Sequence, residues 1–194
     1  MVQNLLDNNI TMNKNLSIIR QQFAQTVFNH KIQEKASDRN EKYNDYIKYL
    51  SIGLLFVVLV LFVLQLKNPN NSIYGNIWIA ITIFEIVFQF VQKEFSFSEK
   101  AKQHKLTALQ YLSLRWNYLN LIWDCFSWLD ENQISLNRDL LQEQYNIISN
   151  IAPQTIYDDY KKTQLSLLWT TNSEEEFTWS NKEINRFLPK DLHI

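Results

Sequence analysis

The chain has 194 residues, enough for one ordinary domain or a small domain with an appendage, and its 19 Lys and Arg balance 20 Asp and Glu. That near-neutrality, without a single-signed tail, gives no support for a nucleic-acid surface, and the lone Cys125 excludes an intrachain disulfide framework or a multi-cysteine zinc site. Two glycines and three prolines are too few for a sheet protein with many tight turns, so the composition predicts an all-α fold, with Pro69, Pro153 and Pro189 as punctuation.

The first segment, residues 1–48, reads as a helical arm. From about Met12 to Lys48 it is helix-compatible, with Leu16, Ile19, Phe23, Val27 and His30 on one face. Tyr43 and Tyr46 approach the next segment, where amphipathic aromatics suit a membrane surface, and the arm can run straight on into it.

Residues 49–66, YLSIGLLFVVLVLFVLQL, carry no charge. As a helix this run is about 27 Å long, close to the roughly 30 Å of bilayer hydrocarbon. The polar break KNPNNS precedes a second apolar run, residues 73–91, so residues 49–91 are expected to form a transmembrane hairpin. A buried hairpin of a soluble bundle is the competing account, but residues 52–64 show no polar stripe. Lys31, Lys35, Arg39, Lys42 and Lys48 precede the first span and Lys93, Lys100, Lys102 and Lys105 follow the second, against Lys67 alone between them. The positive-inside rule then puts both termini in the cytoplasm.

Within the second span Gly75, Trp78, Thr82, Glu85, Gln89 and Gln92 recur at steps of three and four and share one helix face. An ionised carboxylate turned to lipid near the membrane centre costs about 2.5–3.5 kcal/mol, so Glu85 should face protein or water. The first span offers Ser51, Gly53 and Gln65 as its small or polar positions, which makes another subunit the simpler partner. Two arrangements satisfy the requirement. In one, Thr82, Glu85, Gln89 and Gln92 line a water path for cations; in the other, a neutral Glu85 is glue in a closed helix interface. Gly53 and Gly75 are candidate points of close helix packing.

Residues 92–194 are expected to form a cytoplasmic helical bundle. Leu109, Leu112, Trp116, Leu119, Trp123 and Phe126 form a stripe for core packing or for contact with a neighbouring subunit. Further helices are expected over 134–151, using Ile134, Leu140, Leu141, Tyr145 and Ile148, and from about Ile156 to Trp169. Ser180 with Glu183 makes a capping box for a last helix, EINRFL, closed by Pro189.

No catalytic motif occurs, and His30, His104 and His193 lack metal-ligand spacing, so neither an enzyme nor a cofactor or metal is expected. The run Glu174, Glu175, Glu176 reads as a solvated face or a first helical turn. A charged helical arm, two spans joined by a short loop, and then FSFSEKAKQHKLTALQYLSLRWNYLNLI resemble the SLATT family of bacterial two-span effector domains, encoded beside nucleotide-signal synthases and sensors. The pattern around Glu99, His104, Ala108, Tyr111 and Leu112 carries the likeness, which extends from roughly Leu16 to Leu192 and takes EINRFLPKDL as the closing segment.

The resemblance implies a pore-forming effector of an antiphage or other conflict system. It would sit in the bacterial inner membrane as a homo-oligomer, answer a nucleotide second messenger or a sensor protein, and use no catalytic residues. The alternatives are a non-conducting anchor that presents a helical interaction module, and a small transporter subunit, for which two spans and one central carboxylate are meagre.

Overall fold

The structure is a computed structural model, and it describes residues 2–69, 72–127, 130–167 and 179–194, with the side chains of 2–13, 72 and 91 outside the description. Every regular element among the described residues is helical. The elements are α1 (Val2–Lys67), α2 (Ser72–Phe95), α3 (Phe97–Phe126), α4 (Glu131–Ile151), α5 (Tyr157–Leu167), α6 (Asn181–Asn185) and a 3₁₀ turn (Lys190–Leu192). The arm and the first span are one uninterrupted helix, as the absence of Gly or Pro before Gly53 allows. α2 and α3 are divided at Ser96, whose φ of 41° lies in the left-handed region that few non-glycine residues adopt. α4 stops at Ile151, two residues before Pro153. Trp169 and the run Glu174 to Glu176 lie outside the described residues.

The chain forms two compact units, one of residues 1–36 and 103–194, the other of residues 37–102. In the first, the expected arm face closes the core: Leu16, Ile19, Phe23 and Val27 are buried with Leu114, Tyr118, Leu121, Ile122 and Ile134. Each such side chain contributes roughly 1.5–3 kcal/mol on burial. Leu141, Tyr145 and Ile148 of α4 pack against this core, whereas Leu140 is exposed. The C-terminal segment adds Ile184, Leu188 and Leu192. It is opened by the expected capping box, in which the Glu183 carboxylate accepts the Ser180 N–H at 2.9 Å.

Polar bonds stitch the same unit. Arg20, 1% exposed, donates to the Leu192 carbonyl at 2.6 Å and to Asn185 Oδ1. His104 Nδ1 lies 2.6 Å from Gln33 Oε1, and Gln33 Nε2 donates to the Pro153 carbonyl at 3.2 Å, so the one buried histidine is a structural group joining α1, α3 and the turn after α4. Asn29 donates to Tyr145 Oη, and Tyr111 Oη pairs with Ser149 Oγ.

The second unit is a helical hairpin. α1 and α2 each contribute a stretch long and apolar enough to cross a membrane. The most apolar window of α1 has none of its residues buried and that of α2 has 6%, which removes the reading as the core of a soluble bundle. Soluble monomers rarely expose apolar patches beyond a few hundred Å². Here Phe56, Leu59, Leu66, Ile83, Phe84 and Phe90 are all more than half exposed.

Candidate functional site

The site grows out of the pairing of the two hairpin helices. α1 is antiparallel to α2, and three contacts set their register: Gln92 Nε2 donates to Ser51 Oγ at 2.9 Å, Phe62 lies 5.6 Å from the Trp78 ring, and Gln65 packs on Gly75. On α1 the half-buried positions are Ser51, Leu54, Val58, Leu61, Leu64 and Gln65, at the spacing of one helical face. The polar face of α2 is therefore turned, at both of its ends, toward the first span of the same chain. Ser51 and Gln65, the polar positions expected to offer Glu85 little, meet Gln92 and Gly75 at the two ends of the hairpin and do not reach Glu85. One residue at each end suffices to fix a register, because the span between them needs only shape.

Glu85 stands between those ends, level with residues 55–58, a stretch without a polar side chain. It is 4% exposed, the one buried residue of α2 among those described. Gln89, one turn on, reaches its Oε1 at 3.5 Å, at the outer limit of a hydrogen bond, and is itself exposed. Thr82 is half-buried and returns its hydroxyl to the Trp78 carbonyl at 2.9 Å, and Gln92 is half-buried on Ser51. Thr82, Glu85, Gln89 and Gln92 thus share one face, but they divide into a covered carboxylate with two self-satisfied neighbours and one amide left among exposed apolar side chains.

The two glycines differ. A Cβ at Gly75 would meet Gln65 Oε1 at 3.1 Å, so helix–helix approach there is close, whereas a Cβ at Gly53 would meet nothing within 4 Å. Within one chain Gly53 is not a packing point. The α3 stripe lies mostly outside the core of its own unit, with Leu119 alone of its members packed against that core among the described residues. Leu109, Trp116, Trp123 and Phe126 are 41–56% exposed, and Leu112 and Leu119 are half-buried. The inward face of α3 is instead His104, Thr107, Ala108, Tyr111, Leu114, Tyr118, Leu121 and Ile122. Four of these eight are polar or aromatic-hydroxyl residues, a weak signal beside two tryptophans, so the sequence pattern favours the wrong side of the helix for intrachain packing.

Several titratable groups of the first unit have local structural partners. His30 Nε2 lies 3.7 Å from Glu34, which also takes a 2.9 Å bond from Lys31. Burial, with Arg115, Lys31 and Lys105 on the same side and Glu34 opposing, holds the His30 imidazole below its ordinary pKa. His193 Nε2 lies 3.1 Å from the Leu188 carbonyl. Burial, with help from Asp124, pushes the Cys125 thiol up to about 11, so it is an inert packing group at neutral pH. No group of three His, Cys, Asp or Glu residues is placed to hold a metal ion among the described residues.

Comparison with family models matches residues 16–183 to SMODS and SLOG-associating 2TM effector domain family 4. Comparison with curated proteins and with solved structures gives no match. The matched region takes in both candidate spans, the buried Glu85 and the α3 core face, and it ends at Glu183, so most of EINRFLPKDL lies beyond it. Two exposed apolar helices and a two-span family together assign the chain to a membrane. It belongs to the SLATT family, the two-transmembrane effector domains associated with SMODS and SLOG proteins.

Proposed function

We propose that the protein is a homo-oligomeric inner-membrane effector of a bacterial conflict system, with both termini cytoplasmic, which opens a conducting path when its helical cytoplasmic unit receives a signal. The reading needs no catalytic chemistry and no cofactor. The signal would be a nucleotide second messenger or a sensor protein. The observation that carries the proposal is the division of the α2 polar face. Glu85 is covered by its own hairpin, while Gln89, one turn away, is exposed among apolar side chains. A polar side chain in hydrocarbon seeks a partner, and sister copies of α2 would supply one. Rotation of the second spans would then bring Glu85 beside Gln89 and Thr82 onto a shared water path.

Gln92 on Ser51 and Gly75 against Gln65 favour a second reading, because they close both ends of the polar face without any other chain. On that reading the hairpin is a non-conducting anchor for a helical interaction module.

A membrane-potential dye in cells induced to express the wild type, Glu85→Ala or Gln89→Ala, together with the neighbouring signalling proteins, separates the two. A pore predicts depolarisation in the wild type and an altered response in both variants. An intact potential with the signal present and the protein in the membrane would favour the anchor. Protease added to spheroplasts of doubly tagged protein tests orientation, and cleavage at either terminus would refute it.

A further inference from the structure

At one end of the hairpin, α1, α2 and α3 line a half-open cavity of about 380 Å³, within the range of small-ligand sites. Its polar walls are Asn44 and Lys48 of α1, Gln92 and Lys93 at the end of α2, and Ser98 and Glu99 in the first turn of α3. Lys48 has only a 3.9 Å approach to Asp45, both side chains being more than half exposed, so that pair is weak. Lys93 and Glu99 have no ion-pair partner among the described residues. The cavity therefore holds two under-used ammonium groups and one under-used carboxylate.

Its surroundings say what kind of molecule carries the complementary charges. Tyr46 and Tyr49 are more than two-thirds exposed beside it in the chain, and Tyr43 packs on Phe97 with ring centroids 5.7 Å apart. The Lys100 ammonium sits 5.8–5.9 Å over the Phe95 and Phe97 rings. Aromatic and basic residues grouped in this way mark the headgroup level of a bilayer. The exposed apolar flanks of both spans begin within a turn, at Leu50 and Ile52 on α1 and at Phe90 on α2.

We infer that this cavity binds a phospholipid headgroup containing both a phosphate and a primary amine. The phosphate lies between Lys48 and Lys93, the amine meets Glu99, and the acyl chains run along the exposed spans. The inference rests on the membrane reading of the hairpin. Adenosine monophosphate, a soluble phosphate ester, shares the phosphate chemistry but has neither the acyl chains nor an ammonium group for Glu99.

The test uses the full chain purified in detergent, with bound lipid counted by native mass spectrometry. Phosphatidylethanolamine, phosphatidylcholine and phosphatidylglycerol are titrated in parallel, with adenosine monophosphate as the soluble competitor. Phosphatidylethanolamine should bind at least tenfold more tightly than phosphatidylcholine. Lys48→Gln with Lys93→Gln should cost at least tenfold in that binding, and Lys67→Gln, at the other end of the hairpin, nothing. Glu99→Lys should shift the preference to phosphatidylglycerol, an effect that loss of fold would not produce.

Equal binding of the three lipids, indifference to the lysine pair, or displacement of lipid by adenosine monophosphate would overturn the inference. Carbonate extraction separates the two levels of failure. Release of the chain to the aqueous fraction refutes the membrane reading, whereas retention in the membrane without headgroup preference refutes this site alone.

Discussion

Replacing Arg20 with methionine tests how the first unit is held closed. The guanidinium is almost wholly buried and binds the Leu192 carbonyl at 2.6 Å and Asn185 Oδ1, while its Nε has no acceptor among the described residues. Hydrogen bonds to a charged group contribute about 1.5–3 kcal/mol each, and the cost of hiding a cation without a carboxylate offsets part of that. The net loss on Arg20→Met should be about 2–4 kcal/mol, because methionine fills the space but leaves the buried Leu192 carbonyl and the half-buried Asn185 Oδ1 without this donor.

The loss should be local first, at residues 184–192, whose Ile184, Leu188 and Leu192 are held in the core by these bonds. A fall of about 3 kcal/mol in local opening free energy corresponds to roughly a hundredfold faster amide exchange. Hydrogen–deuterium exchange of the detergent-solubilised protein reads this directly, and Asn185→Ala should give about half the effect in free energy. Unchanged exchange over 184–192 in Arg20→Met would show that apolar burial alone holds the segment and would refute the clamp.

Cys125 should react with a thiol reagent orders of magnitude more slowly at pH 7.5 than a free cysteine, with a rate that climbs until about pH 11; a plateau near pH 8.5 would contradict its burial. Because the folded state holds the His30 imidazole below its ordinary value of about 6.5, the unfolded chain takes up a proton that the folded chain refuses. Stability contributed by neutral His30 is complete above about pH 6.5 and is lost as pH falls, so the wild type should lose more melting temperature than His30→Gln between pH 7.5 and 5.5. Gly53→Ala should leave the amount and melting temperature of the protein unchanged or slightly raised, since the new methyl meets nothing within 4 Å. If the added methyl lowers either one, Gly53 is a contact with a second chain.

The elements that run on apolar periodicity were legible in the sequence. Leu16, Ile19, Phe23 and Val27 recur at helical steps and are buried, and the charge-free run 49–66 stands exposed on a long helix. α3 was misleading for a physical reason. Its largest side chains, Trp116 and Trp123, point outward, while half of its inward face is His104, Thr107, Tyr111 and Tyr118, beside Ala108, Leu114, Leu121 and Ile122. Periodicity scores side chains one at a time and does not register that Gln33 can satisfy a histidine 71 positions away. The hairpin register was hidden similarly. Ser51 and Gln65 look isolated in an apolar run until the antiparallel pairing sets them against Gln92 and Gly75.

The first unit is assembled from segments far apart in the chain, with Arg20 bonded to a carbonyl 172 residues later. At a ribosomal rate of roughly 5–20 residues per second, that partner emerges about ten to thirty seconds after the arginine. Ile19, Phe23 and Val27 gain their core neighbours in stages, first from α3 and α4 and last from Ile184, Leu188 and Leu192, in a nascent chain whose next segment is already bound for the bilayer. A truncation before residue 184 keeps the α3 and α4 side of that core but removes Ile184, Leu188 and Leu192 and leaves the Arg20 guanidinium without either of its acceptors.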